Sequence, residues 1–267
     1  MKAVSITSRD NPLLVRMRKL ASDPLAYRKQ GQIWLEGEHL CSAYAARGGA
    51  IAQAVITQTA WDLGQAGPCR GLALRAQAVA VLPTALMATL SSLESSPDLA
   101  FAVAFEAPSE LQAGVPSIVL DRVQDAGNVG TIVRSAAAFG FTQVVALKGS
   151  AGLWAPKVLR AAMGAHFSLR LVEGLMPAEL AKLRLPLLAA SPHATLALHE
   201  AALPWPCGWV FGHEGQGVAA RLQAACSESL RIPQPGGEES LNVAMAAAVC
   251  MYESMRQRVT AEAAGRA

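Results

Sequence analysis

The chain has 267 residues, 52% hydrophobic and 16% charged, with a formal net charge of +3. That is enough apolar material for one large or two small packed cores, and it excludes a mainly disordered chain. No uncharged apolar run approaches the ~20 residues of a membrane span, and the N-terminus MKAVSITSRDNPLL has no apolar signal core, so the expected location is cytoplasmic with no membrane partner.

In chain order, residues 1–31 come first. They hold seven basic side chains (Lys2, Arg9, Arg16, Arg18, Lys19, Arg28, Lys29) against Asp10 and Asp23, a local surplus of five on a body that is otherwise slightly acidic. A basic N-terminal arm suits a polyanion; the plainer reading is a solvated helical face. NPLLVRMRKLAS reads as a helix opened by Asp10 or Asn11, with Pro12 in its first turn. QIWLEG and QAVITQ read as strands flanking the helix EHLCSAYAARGG. AQAVAVL, the helix PTALMATLSSL and LAFAVAFE continue a small α/β unit.

The stretch EAPSELQAGVP, rich in Pro, Gly and polar residues, reads as a linker. It sets the expected boundaries at 1–106 for a first domain, 107–115 for the linker and 116–267 for a second domain. From Ser117 the alternation restarts: SIVL, a helix from about Val129, QVVAL, a helix from Pro156 to Met163, and FSLRLV. A helix at PAELAKL, strands LPLLAA and GWVFG, a helix at VAARLQAA, ESLRI and a long helix from Leu241 complete it. Continuously apolar strands separated by helices predict a mostly parallel sheet with helices on both faces. Five scattered cysteines (Cys41, Cys69, Cys207, Cys226, Cys250) without a CxxC pair predict reduced thiols. Five histidines without HxxxH or HExxH spacing predict no metal site.

A strand, a glycine-bearing loop and a helix suggest a nucleotide site, but a dinucleotide fingerprint needs G-x-G-x-x-G after the first strand. Here the first loop offers only Gly127 and Gly130, with Asp125 where the first glycine belongs, and GHEGQG (Gly212 to Gly217) has the spacing reversed. An oxidoreductase is therefore disfavoured. Three segments nevertheless share one form: SIVL-DRVQDAGN-VGTIVR, GWVFG-HEGQG-VAARL and LRIPQPGGEES-LNVAMAAAV. In a parallel sheet all three loops leave the same edge and can converge, offering helix N-termini to an anion or carboxylate.

Together these segments resemble the three motifs of the SpoU (TrmH-like) RNA ribose methyltransferases, of the SPOUT class. The first carries Asn128 and Arg134, the second Gly212 and Glu214, the third Ile232, Ser240, Leu241 and Asn242. Three motifs in order, each after a strand, make a specific match over residues 116–258. His213 departs from the family, which more often has Ala or Asn there. The basic lead-in and IWLEGEHLCSAYAARG resemble the family's substrate-binding domain, an α/β fold similar to a ribosomal protein.

The resemblance implies a C-terminal SPOUT domain with a trefoil knot, which periodicity alone would never suggest because such sheets are almost always unknotted. It implies a homodimer through that domain, S-adenosylmethionine as methyl donor held by the backbone of Gly212, Ile232 and Leu241, and RNA as substrate. Ribosomal RNA is the expected target; a tRNA is the alternative, and a non-catalytic RNA-binding protein on the same scaffold is the reading from another class. The basic residues Arg9, Arg16, Arg18, Lys19, Arg28 and Lys29 become candidate RNA contacts. Arg122, Lys148, Lys157 and Arg160 add charge near the expected mouth, and Trp154 is either a base-stacking or a rim residue.

By the same resemblance Arg134, Asn128, Glu214, Ser240 and Asn242 form the catalytic set. A family arginine is proposed as the base for the 2′-hydroxyl, yet a guanidinium stays protonated in proteins, so a fork gripping a substrate phosphate fits its chemistry better. Asn128 stands where an N-cap is expected and Ser240 where the last helix can be capped. Glu214 can orient Asn128 or Arg134, and Asn242 is expected in the first turn of the last helix, aimed at the site.

Overall fold

The computed structural model describes residues 3–91, 93, 95–106, 110–237 and 240–264. Lys2 of the basic lead-in, residues 107–109 of the expected linker, and Glu238 and Glu239 of the third motif lie outside the described residues. The chain divides into two compact units: Met1–Glu106 with Trp154–Phe167, and Ala107–Leu153 with Ser168–Ala267.

In the first unit the elements run β1 (Ala3–Ser5), α1 (Pro12–Ser22), α2 (Ala26–Gln30), β2 (Gln32–Glu36), α3 (Glu38–Ala46), β3 (Ile51–Thr57), α4 (Gln58–Asp62), α5 (Pro68–Ala73), β4 (Ala78–Leu82), α6 (Thr84–Ala88) and β5 (Leu99–Ala104). They build a five-stranded sheet in the order β1-β4-β3-β5-β2. β1, β4 and β3 are parallel, whereas β5 runs antiparallel to both β3 and β2.

Side chains alternate across a strand, so one strand feeds two cores. Ile33 and Leu35, Ala54 and Ile56, and Phe101 and Val103 enter one core, with Leu40, Cys41 and Ala45 of α3. Trp34, Val55, Ala100 and Ala102 enter the other, with Leu14, Met17 and Leu20 of α1. Each of those three α1 side chains, fully buried, stabilises by roughly 1.5–3 kcal/mol relative to exposure. Asn11 caps α1, its side chain accepting from Leu13 N–H at 2.9 Å, and Pro12 follows.

The basic lead-in is therefore no free arm. Its first residues form β1 on the sheet edge, and α1 and α2 pack down, because their apolar stripes bury more surface than a free arm would. Trp154–Phe167, read from the sequence as part of the second unit, also belongs here. This segment contains α8 (Pro156–Ala162); Leu159 enters the first core, and Arg160 reaches the buried Glu36 at 3.1 Å.

The second unit has β6 (Ser117–Asp121), α7 (Ala126–Ala138), β7 (Gln143–Leu147), β8 (Arg170–Leu175), β9 (Leu187–Ala190), β10 (Gly208–Gly212), α9 (Ala220–Gln223), β11 (Glu228–Leu230) and α10 (Val243–Ala264). Its six strands lie in the order β11-β9-β10-β6-β7-β8, and every pairing is parallel. PAELAKL, expected to be helical, forms a 3-10 helix over Pro177–Leu183.

Glu110 to Val115 is bound to this unit: Gln112 exchanges hydrogen bonds with the Gln143 side chain, and Gly114 N–H donates to Leu183. β6 and β10 are neighbours in register, Gly212 opposite Asp121, so the loops that follow them emerge side by side. α10 packs on α7 and β10, and the buried Trp209 indole donates to Ser254 Oγ at 2.9 Å.

Candidate active site

After β6 the chain turns into α7. The cap is Asp125, whose carboxylate accepts from Asn128 N–H at 2.8 Å. Asn128 was the expected cap; it stands instead in the first turn, its amide free to reach across. Asn128 Nδ2 donates to Glu214 Oε1 at 3.2 Å, and Asn128 Oδ1 accepts from Asn242 Nδ2 at 3.0 Å. A second cap is also reassigned. Asn242 Oδ1 accepts from the N–H groups of Ala244 and Met245, so Asn242, not Ser240, opens α10. One asparagine thus caps a helix with its oxygen and holds Asn128 with its nitrogen.

The Glu214 carboxylate also accepts from the backbone N–H of Gln124 at 3.3 Å and of Asp125 at 3.1 Å. Desolvation works to raise its pKa. The backbone N–H groups of Glu214 itself, Asp125 and Gln124, together with the Asn128 amide, outweigh that and hold the carboxyl below its ordinary range. A carboxylate so held is a weak base, and its role here is to orient donors.

The second loop, Gly212 to Gly217, folds tightly on itself, with His213 and Gly217 exchanging backbone hydrogen bonds at 3.1 and 2.8 Å. A Cβ on Gly212 would stand 2.0–2.2 Å from the backbone of Gly217 and Val218, so only glycine fits. The loop's other side is tied to Arg122, a non-glycine residue at φ 60°. Its guanidinium grips the buried Asp121 at 3.0 and 3.1 Å and donates to Gln216 Oε1 at 3.0 Å and to Gly217 O at 3.4 Å, while Asp121 accepts from Ala219 N–H at 2.7 Å. This lattice offsets the left-handed backbone.

The Gly212–Gly217 loop, together with the segment leading from β11 into α10, walls a cleft of about 680 Å³, in the range of small-molecule sites. Gly212, Ile232 and Leu241, the three expected cofactor residues, line it, as do Glu214 and Ser240. Asn128 and Asn242 lie off the wall but are hydrogen-bonded to it through Glu214. Arg134 is exposed on α7, roughly 9 Å along the axis from Asn128. It has no hydrogen bond or ion pair among the described residues and does not line the cleft.

Ala190 to His193, from the last residue of β9 onward, also form the wall and were missed in the sequence reading. They follow the same strand-then-loop rule, but only strand order shows that β9 neighbours β10. His213 lines the cleft and fixes its loop, Nδ1 accepting from Gly215 N–H at 3.0 Å.

Of the expected RNA contacts in the first unit, Arg9, Arg16, Lys19, Arg28 and Lys29 are exposed. Arg18 is half-buried and donates to Arg9 O at 3.3 Å, and Arg28 stacks 5.5 Å from the Tyr27 ring centre. Arg122 and Arg160 are held by Asp121 and Glu36, so neither offers free charge to a ligand. Trp154 sits among Phe105 and His166, an aromatic cluster instead of a stacking platform.

Residues 116–252 match the SpoU rRNA Methylase family. The chain belongs to that family. A tRNA/rRNA methyltransferase of Synechocystis sp., itself uncharacterized, is 33% identical over 273 residues, covering 98% of this chain and 97% of its own. The 23S rRNA (uridine(2479)-2'-O)-methyltransferase of Streptomyces viridochromogenes is 27% identical over 206 residues, covering 72% of this chain and 71% of its own. A crystal structure of an RNA 2'-O ribose methyltransferase superposes with a TM-score of 0.79 at 27% identity, covering 96% of this chain and all of that one. This SpoU family member is an RNA ribose 2′-O-methyltransferase dependent on S-adenosylmethionine.

Proposed function

We propose that the protein methylates ribose 2′-hydroxyl groups of ribosomal RNA, with S-adenosylmethionine held in the cleft by the backbone of Gly212, Ile232 and Leu241. The observation that carries this reading is the Asn242–Asn128–Glu214 relay, which joins all three motif loops at the rim of one cleft. The residues present suit the cofactor: the tight Gly212 turn sets backbone groups at the cleft, and the wall mixes apolar side chains with a few polar ones. Bound S-adenosylmethionine supplies an activated methyl group on a sulfonium centre.

Arg134 grips a substrate phosphate and orients the 2′-hydroxyl, since alignment sets the rate of an in-line displacement. Among the described residues it has no hydrogen-bond or ion-pair partner, which leaves the guanidinium for that task. Asn128, Glu214 and Asn242 position the rim, and Ser240 contributes a hydroxyl to the wall. Ribosomal RNA is favoured over tRNA because the Streptomyces relative is named for a 23S ribose; the Synechocystis relative's name admits both. The first unit contributes RNA affinity through Arg9, Arg16, Lys19, Arg28 and Lys29, with Arg18 a weaker contact because it is partly buried.

The enzyme works as a homodimer through the second unit. Met245, Val249, Tyr252 and Val259 stand 59%, 39%, 50% and 54% exposed, at helical spacing along α10, a stripe that a monomer would seldom leave in water. Arg134 lies off the cleft wall within one chain, so a second copy or the RNA completes the site around the phosphate that it grips. The second unit carries a trefoil knot, a reading that rests on the family and is compatible with the packing of α10 beside β10. No described helix is long and apolar enough to cross a membrane, which suits a cytoplasmic enzyme of ribosomal RNA. Mapping methylated riboses in RNA from cells with and without the gene tests the reading: one or more rRNA positions lose the mark, and an unchanged rRNA map refutes it.

A further inference from the structure

Gln234 stands two residues beyond Ile232, on the segment that follows β11. Ile232 and Gln234 both line the cleft and Pro233 between them does not, the alternation of an extended segment. Gln234 O accepts from Gly237 N–H at 3.3 Å, but its side-chain Oε1 is buried and without a hydrogen-bond partner. Buried amide oxygens are almost always paired, and leaving one empty costs stability. Among the described residues this is the one such atom on the cleft wall. The cleft is therefore where its donor comes from.

S-adenosylmethionine carries three kinds of donor: a charged ammonium, ribose hydroxyls and the exocyclic amine of adenine. An ammonium is drawn to a carboxylate, and the wall has one in Glu214. A neutral acceptor beside Ile232, whose backbone holds the adenosine in the reading above, meets the base. We propose that Gln234 Oε1 accepts a hydrogen bond from the exocyclic amine of the cofactor's adenine, a side-chain reader of the base in a site otherwise built from backbone. The inference rests on the cofactor reading and goes one residue beyond it.

The test is calorimetric titration of the full chain with S-adenosylhomocysteine and with its analogue bearing hydrogen in place of the adenine amine. Wild type should prefer the amine by about tenfold, the worth of one buried hydrogen bond. Gln234→Met, close in size but without an acceptor, should bind the two within about twofold, and Gln234→Glu, which keeps an acceptor, should restore the preference. An undiminished preference in Gln234→Met, or no preference in wild type, overturns the inference and leaves the cofactor reading standing. Wild type that binds neither compound overturns both.

Discussion

Asn242 Nδ2 donates to Asn128 Oδ1 at 3.0 Å, linking residues 114 positions apart. Each sits at the start of a helix, and Glu214 from the remaining loop takes the other side of the Asn128 amide. If this relay sets the rim, Asn128→Ala should lower kcat by about a hundredfold while the cofactor Kd moves less than about threefold. Asn128→Asp should be no better, since it sets a carboxylate against Glu214. Steady-state methyl transfer with calorimetry decides it, and a change confined to Kd would make Asn128 a cofactor residue instead.

Gly212 tests the cleft itself. Gly212→Ala places a methyl group 2.0–2.2 Å from the Gly217 and Val218 backbone, so the loop must shift. The expected result is a loss of about 3 kcal/mol in stability and no measurable cofactor binding. Wild-type melting and affinity would show that the loop is free to move.

The Arg122 lattice holds the same loop from behind. Arg122→Ala removes its ties to Asp121, Gln216 and Gly217, and should weaken cofactor binding about tenfold with kcat at saturation nearly unchanged. Calorimetry on a variant shown to be folded by circular dichroism reads it. Equal affinity would reduce the lattice to a surface feature.

Glu214 gives the pH dependence. Its folded pKa lies below the ordinary carboxylate value, so its stabilising bonds are complete above that value and are lost as pH falls through the folded pKa. Cofactor affinity should therefore be flat from pH 8 to about pH 5 as far as this group is concerned and weaken below that. Glu214→Gln should abolish the acid limb. A transition near pH 6–7 that vanishes in Glu214→Gln would mean the opposite shift.

The loops that frame the candidate site were legible in the sequence, because helix starts and apolar runs have local signatures. Gly212, Ile232 and Leu241 were named by resemblance, and all three line the cleft. The caps were misassigned for a physical reason. Asp125 and Asn128, like Ser240 and Asn242, are all competent caps, and only the partner across the sheet edge decides which one turns inward. The placement of α8 with the first unit was invisible because its apolar face would suit either core. Arg134 was singled out by motif alone, and among the described residues it has no partner.

The most direct measurement is methyl transfer from S-adenosylmethionine, labelled in its methyl group, to ribosomal RNA by wild type and Arg134→Ala, followed by chemical location of the label and calorimetric titration of the cofactor. The account predicts label on ribose 2′-oxygen for wild type, and at least about a thousandfold slower transfer by Arg134→Ala with the cofactor Kd unchanged. Label on a base, or undiminished turnover by Arg134→Ala, would contradict it.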